Sequence, residues 1–155
     1  MNITQFPKKK NHIPQCFIIN AQGKTLGRLA TVASKLLLGK ETSFFSSGVD
    51  QGNFLIIYNA SGVMVTGKKE KKKLYYRNSQ RPGSLKIETF SELKERIPAR
   101  IIENAIWGML PKGILGRQYF RRLYVYSGQD LAQKKKYGSI KADLVGPLAF
   151  TSIDL

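Results

Sequence analysis

Gly23-Lys24-Thr25 is the first group of residues with chemistry in view. It opens an apolar-periodic stretch directly after a short apolar run, where a phosphate-binding loop would stand. Such a loop needs a second glycine five residues earlier, to turn the backbone around the phosphates. Position 18 is Ile, so half of the motif is missing. The free N–H groups of a helix start, with Lys24, could still meet a phosphate of another molecule. His12 is the only histidine and Cys16 the only cysteine. One His with no neighbouring Cys or carboxylate builds neither a nucleophilic triad nor a metal cluster. Cys16 sits in an apolar run and reads as core. Of the ten acids, Glu88, Glu92, Glu95 and Glu103 lie among Lys86, Lys94, Arg96 and Arg100, as a charge-balanced scaffold would have them. No catalytic constellation emerges, and no cofactor, metal or small-molecule substrate is expected.

Charge is the stronger signal. The 155 residues carry 26 Lys plus Arg against 10 Asp plus Glu, a formal net charge of +16. That excess repels itself in a compact monomer, and a polyanion relieves it. Lys8-Lys9-Lys10 holds +3, residues 65–81 hold +6, residues 110–125 hold +4 and residues 134–141 hold +4. The remainder is nearly neutral. Four basic segments on a neutral body point to nucleic acid, because Lys and Arg on phosphates release counterions. Tyr75-Tyr76 follows one basic run and Tyr119-Phe120 precedes Arg121-Arg122. Aromatics of this kind can stack on unpaired RNA bases. Alternation predicts that one of Tyr75 and Tyr76 faces inward and the other outward. An anionic membrane would call for a basic amphipathic helix with a bulky apolar face, which none of the runs supplies. The longest unbroken apolar run is Phe54–Tyr58, far short of the ~20 residues of a membrane span.

The elements that must position these residues follow from periodicity. Cys16–Ile19 reads as a buried strand. Leu26, Leu29, Ala30, Ala33, Leu36 and Leu37 recur at helical spacing, between Thr25 as N-cap and Gly39 as stop. Phe54–Tyr58 is a second buried strand. Strand, helix, strand is the unit of a parallel sheet. Thr89-Phe90-Ser91-Glu92 matches a capping box, and a further helix is predicted from Pro98. A short helix over 114–120 and a strand over Leu123–Tyr126 complete the pattern. Residues 1–15 read as an extended basic arm, 16–128 as one α/β domain, and 129–155 as a tail without periodicity.

Several separated motifs carry a resemblance. Gly23-Lys24-Thr25-Leu26-Gly27-Arg28-Leu29-Ala30 is similar to the opening helix of the large-subunit ribosomal protein L-thirteen family. The match continues through Val49-Asp50-Gln51-Gly52-Asn53, Asn59-Ala60, Val65-Thr66-Gly67-Lys68-Lys69, Arg81-Pro82-Gly83 and Arg96-Ile97-Pro98. Gly108-Met109-Leu110-Pro111-Lys112-Gly113, Leu115-Gly116-Arg117 and Leu123–Gly128 close it. The wording is most like plastid and cyanobacterial members. Asn53 and Asn78 stand where the family commonly has Asp and His. Gln129–Gln133 replaces a histidine-bearing segment, and 134–155 has no counterpart.

The resemblance implies a three-layer α/β/α fold with a small, mostly parallel sheet of about four strands. It implies a structural constituent of the large ribosomal subunit, binding its RNA and supporting early assembly and translation, with no enzymatic role. The expected partners are large-subunit RNA and neighbouring subunit proteins, with no membrane and no homo-oligomer. The expected setting is the ribosome of a plastid stroma or, second, of a bacterial cytoplasm. Carried over by position, the RNA-contacting residues are Lys24, Thr25 and Arg28, then Lys68, Lys69, Tyr76, Arg77, Arg81 and Gly83. Lys112, Gly113, Arg117, Arg121 and Arg122 form the third patch. Composition adds Lys8, Lys9, Lys10, Lys72 and Lys73. An off-ribosome RNA-binding regulator is the alternative, ahead of a nucleotide-using enzyme at Gly23-Lys24-Thr25.

Overall fold

A computed structural model describes residues 14–43, 45–128 and, for the backbone, 150–153. The basic arm with Lys8, Lys9, Lys10 and His12 lies outside the described residues, as does the lysine run at 134–141.

The protein is an α/β fold. The strands β1 (Cys16–Asn20), β2 (Phe54–Tyr58), β5 (Leu123–Val125) and β6 (Phe150–Ile153) form one parallel sheet in the order β5-β2-β1-β6. A separate antiparallel pair joins β3 (Leu74–Arg77) to β4 (Lys86–Thr89). The helices are α1 (Leu26–Leu38), α2 (Lys69–Lys72), α3 (Phe90–Arg96), α4 (Pro98–Met109) and α5 (Ile114–Arg121).

Parallel strands need a crossover, and α1 provides it between β1 and β2. Its buried stripe is Leu26, Leu29, Ala30, Ala33, Leu36 and Leu37, with Ser34 beside it. Gly39 ends it at φ 72, a left-handed conformation that favours glycine. The capping box forms as the sequence predicts. The Glu92 N–H donates to Thr89 Oγ1 at 3.4 Å, and the Thr89 N–H donates to Glu92 Oε2 at 2.8 Å. Ile97 then breaks the helical geometry, and Pro98 starts α4, at a position where its missing N–H costs nothing.

The main core lies on one face of the sheet, where Ile19, Leu55 and Ile57 meet apolar residues of α1, α3, α4 and α5. The opposite face carries Cys16, Ile56 and Tyr126, with Ile18, Phe54 and Tyr124 packed around them. No described helix contributes to that second cluster. Among the described residues, helices therefore cover one face of this sheet.

Three elements differ from the sequence expectation. The lysine run is interrupted by the one-turn helix α2. Lys86–Thr89 is a strand, although the sequence pattern groups Lys86 with the scaffold charges of the helices. Residues 150–153 pair with β1 and supply the fourth strand, so the sheet is completed from the segment that reads as a tail without periodicity. Neither strand shows an apolar run; each is defined by its pairing partner.

Cys16 is fully buried, and burial pushes its thiol from an ordinary value of 9.0 up to about 11. The folded thiol holds its proton more tightly than the unfolded one. Its stabilising contribution is therefore complete below pH 9 and is lost as pH rises through about 11. Native protein at about pH 8 should react with a thiol reagent far more slowly than urea-unfolded protein. Equal rates would show that β1 opens readily.

Candidate nucleic-acid interface

The loop before α1 is already spoken for by backbone hydrogen bonds. The Gly23 N–H donates to Gly62 O at 3.0 Å, the Lys24 N–H to Ala21 O at 3.2 Å, and the Leu26 N–H to Met64 O at 2.9 Å. A phosphate cradle would need such donors aimed outward. They instead fix the helix start against residues 62–64, and Thr25 forms an isolated parallel bridge with Met64. This geometry removes the nucleotide-loop reading. Further along the first turn, the N–H groups of Gly27 and Arg28 have no partner within the helix, as at any helix start. No acid lies in that turn, and Arg28 is exposed.

Two clefts gather residues from segments distant in sequence. One, of about 660 Å³, is lined by Thr25 and Arg28 of the first patch, Lys69 and Lys73 of the second, and Met109 at the end of α4. The other, of about 400 Å³, runs between β3, α3, α4 and α5. Arg77, Arg100, Trp107 and Phe120 are among its walls. Helix α4 is the common wall of both. It is anchored by Ile101, Ile102 and Ile106, which are fully buried. An element held this firmly gives the basic side chains around it a rigid base.

The third patch is built on α5. Tyr119 is buried and Gly116 packs inward, while Arg117 and Arg121 stand exposed. Burial raises the Tyr119 hydroxyl above its ordinary value; the nearby Asp50 carboxylate adds to this and Arg122 opposes it. Gly116 is required by a close approach. A Cβ there would collide with the carbonyl oxygen of Pro111 and lie 2.7 Å from its carbon. Gly116→Ala should therefore displace the 111–113 loop and destabilise the fold by about 1–3 kcal/mol. An unchanged thermal midpoint would disprove this packing. Lys112 Nζ donates to the Trp107 carbonyl at 2.5 Å and lies 4.8 Å from the centre of the Trp107 ring. It thus closes the C-terminal end of α4 while remaining exposed.

The candidate contact residues divide by what they touch. Arg28, Lys68, Lys69, Lys72, Lys73, Tyr76, Arg77, Arg81, Gly83, Gly113, Arg117 and Arg121 are exposed; Lys24 and Thr25 are half-buried. Arg122 is different. Its guanidinium grips Asp50 with two hydrogen bonds, Nη1 to Oδ1 at 2.6 Å and Nη2 to Oδ2. The Asp50 side chain is 4% exposed and that of Arg122 is 18% exposed. Arg122 belongs to the fold, pinning residues 45–53 to the start of β5, and is not offered outward. Nothing local in Arg121-Arg122 distinguishes the two; their partners lie far off in the chain.

The scaffold charges also separate on inspection. Arg96 pairs with Glu88, with Nη2 at 2.5 Å from Oε2. Arg100 has no ion-pair partner among the described residues. Lys86 and Lys94 likewise have no ion-pair partner among the described residues. Glu95 and Glu103 balance Arg100 by count alone and do not pair with it.

No group of three or more potential metal ligands occurs among the described residues, and no described helix is long and apolar enough to cross a membrane. The sequence profile of the family described as Ribosomal protein L13 matches residues 14–132. The chain is 48% identical over 130 residues to the large ribosomal subunit protein uL13 of Synechococcus sp. (strain CC9311), covering 84% of this chain and 87% of that one. It is 51% identical over 130 residues to its counterpart in Prochlorococcus marinus (strain MIT 9301), covering 84% of this chain and 91% of that one. A third relative, from Prochlorococcus marinus (strain NATL1A), is 47% identical over 148 residues, 94% of this chain and 99% of that one. By profile and by identity over most of its length, this chain belongs to the ribosomal protein L13 family.

Proposed function

We propose that the protein is a structural constituent of the large ribosomal subunit that binds large-subunit RNA, supports early subunit assembly, and acts in translation without an enzymatic role. The observation that carries this, beside the family relationship, is the state of its cations. Among the described residues only Arg96 and Arg122 have a carboxylate partner. The other cations of the three matched patches face solvent or cleft walls, with no carboxylate partner among the described residues. RNA phosphates supply it.

The contacting set is Lys24, Thr25 and Arg28 at the start of α1, with Lys68, Lys69, Lys72, Lys73, Tyr76, Arg77, Arg81 and Gly83 from the second segment. Lys112, Gly113, Arg117 and Arg121 complete it. Neighbouring subunit proteins are further partners, and the protein serves as one copy in the particle rather than as a homo-oligomer. A plastid stroma is the favoured setting and a bacterial cytoplasm the other, since the relatives compared are cyanobacterial.

Sedimentation of the tagged protein in high-salt sucrose gradients tests the assignment. Stoichiometric migration with the large subunit is expected. Recovery only at the top of the gradient, in free RNA complexes, would replace it with an off-ribosome regulator.

A further inference from the structure

The antiparallel pair β3–β4 has one face on the protein and one in solvent. Directly opposed residues of an antiparallel pair share a face. Tyr75 lies opposite Glu88 on the inner face, and its ring packs 6.5 Å, centre to centre, from that of Phe90 in the core. On the outer face Tyr76 lies opposite Ile87, and Leu74 opposite Thr89. Alternation carries Leu85 to the same side as Ile87. These outer side chains are open to solvent: Tyr76 66%, Leu85 56%, Ile87 54% and Leu74 43% exposed. A contiguous exposed apolar patch marks an interaction site.

The surroundings of the patch select its occupant. Lys71 and Lys72 precede β3 and Arg81 occupies the connecting loop, all three exposed, while Lys73, Arg77 and Lys86 alternate to the inner side with Tyr75. Glu88, the acid within the strands, is on the inner face and paired with Arg96. The loop is held in shape by its own hydrogen bonds. Asn78 Oδ1 accepts from the Gln80 N–H at 2.8 Å and from Ser84 Oγ at 2.6 Å. A preformed sheet face with cations at both ends and one large exposed aromatic fits a single-stranded polyanion whose units carry flat rings. An acidic protein would satisfy the rim but has no need of a central aromatic.

We propose that the outer face of the β3–β4 hairpin is a base-stacking platform for an unpaired stretch of the bound RNA. An unstacked base lies on the Tyr76 ring, and Ile87, Leu74 and Leu85 pack against the adjoining ribose and base edges. The flanking Lys71, Lys72 and Arg81 hold the phosphates on either side. This rests on the RNA-binding reading above and deepens it, by assigning the aromatic to base contact and the rim to backbone contact.

Filter binding of the full chain to full-length large-subunit RNA, over a series of salt concentrations, tests it. Base–aromatic stacking predicts that Tyr76→Ala weakens binding by about 5- to 150-fold. Tyr76→Phe, which keeps the ring, should bind within about twofold of the parent. Neither change removes a phosphate contact, so the slope of log affinity against log salt should not move. Ile87→Ser, also exposed, should weaken binding less than Tyr76→Ala with the same unchanged slope. Binding of Tyr76→Ala within about twofold of the parent would overturn the platform. So would an equal loss in Tyr76→Phe, which would assign the effect to the hydroxyl. Unchanged RNA affinity with loss of Tyr76→Ala from assembled subunits would give the face to a protein neighbour and overturn the proposal. If the parent chain itself showed no salt-dependent binding, the RNA-binding reading would fall first.

Discussion

Arg122→Ala is expected to cost the fold about 3–5 kcal/mol, the usual consequence of removing one partner of a buried ion pair. The pair has the features that make this loss large. The Asp50 side chain is almost fully enclosed, and both of its oxygens engage the guanidinium. Asp50 Oδ1 also accepts from the Gly52 N–H at 3.0 Å, which fixes the carboxylate's orientation. The Arg122 side chain crosses the Phe54 ring, with Cζ 5.9 Å from its centre, and the Arg122 carbonyl accepts from the Leu55 N–H at 3.0 Å. Arg122 therefore meets β2 through its backbone and the preceding loop through its side chain. Removing the side chain takes a bidentate partner from a carboxylate with only 4% of its side chain open to water. A domain of ordinary stability has about 5–15 kcal/mol in all, so the variant should be marginal. Arg122→Lys should recover only part of the loss, because an ammonium is a point charge and cannot match two oxygens in one plane. Urea denaturation midpoints measure both. A loss below about 1 kcal/mol in Arg122→Ala would mean an ordinary surface pair, and Arg122 would return to the RNA-facing set.

That pair also shows where sequence reasoning stops. Helix α1, the capping box at Thr89 and the start of α4 at Pro98 were legible because their signals are local. An apolar stripe, a Thr three residues before a Glu, and a Pro at a first turn all lie within a few residues of what they determine. β4 and β6 were not legible, because four-residue strands with few apolar positions acquire their state from the strand beside them. Asp50 and Arg122 are 72 residues apart, and only the folded chain brings them together. Gly116 was visible as part of a motif, but the Pro111 carbonyl that requires it was not. The charge pattern was legible because it depends on composition alone. Which cations the fold consumes, Arg96 and Arg122, and which it leaves over, Arg100 among them, depends on contacts.

The double variant Arg117→Glu, Arg121→Glu is expected to reduce RNA affinity more than any other pair of exposed substitutions on α5. Four residues apart on a helix, the two side chains share a face. The inward residues Gly116 and Tyr119 are left in place. Lys112 is kept as well, because its bond to the Trp107 carbonyl makes its loss partly structural. Each phosphate contact contributes about 0.7–0.9 to the slope of log affinity against log salt. Losing two lowers the slope by about 1.4–1.8, which at about 0.1 M salt corresponds to about 25- to 60-fold in affinity. Reversing the charges adds repulsion, so the loss should exceed that figure at low salt and shrink as salt rises. The structural side effect is small by comparison. Arg121 lies in the last turn of α5, and replacing a cation there costs about 0.3–1 kcal/mol of helix-dipole interaction. The salt dependence separates the two causes, since a weakened helix loses affinity by the same factor at every salt concentration. A changed slope therefore assigns Arg117 and Arg121 to phosphates. A parallel shift assigns them to the fold, and an unshifted curve removes α5 from the interface.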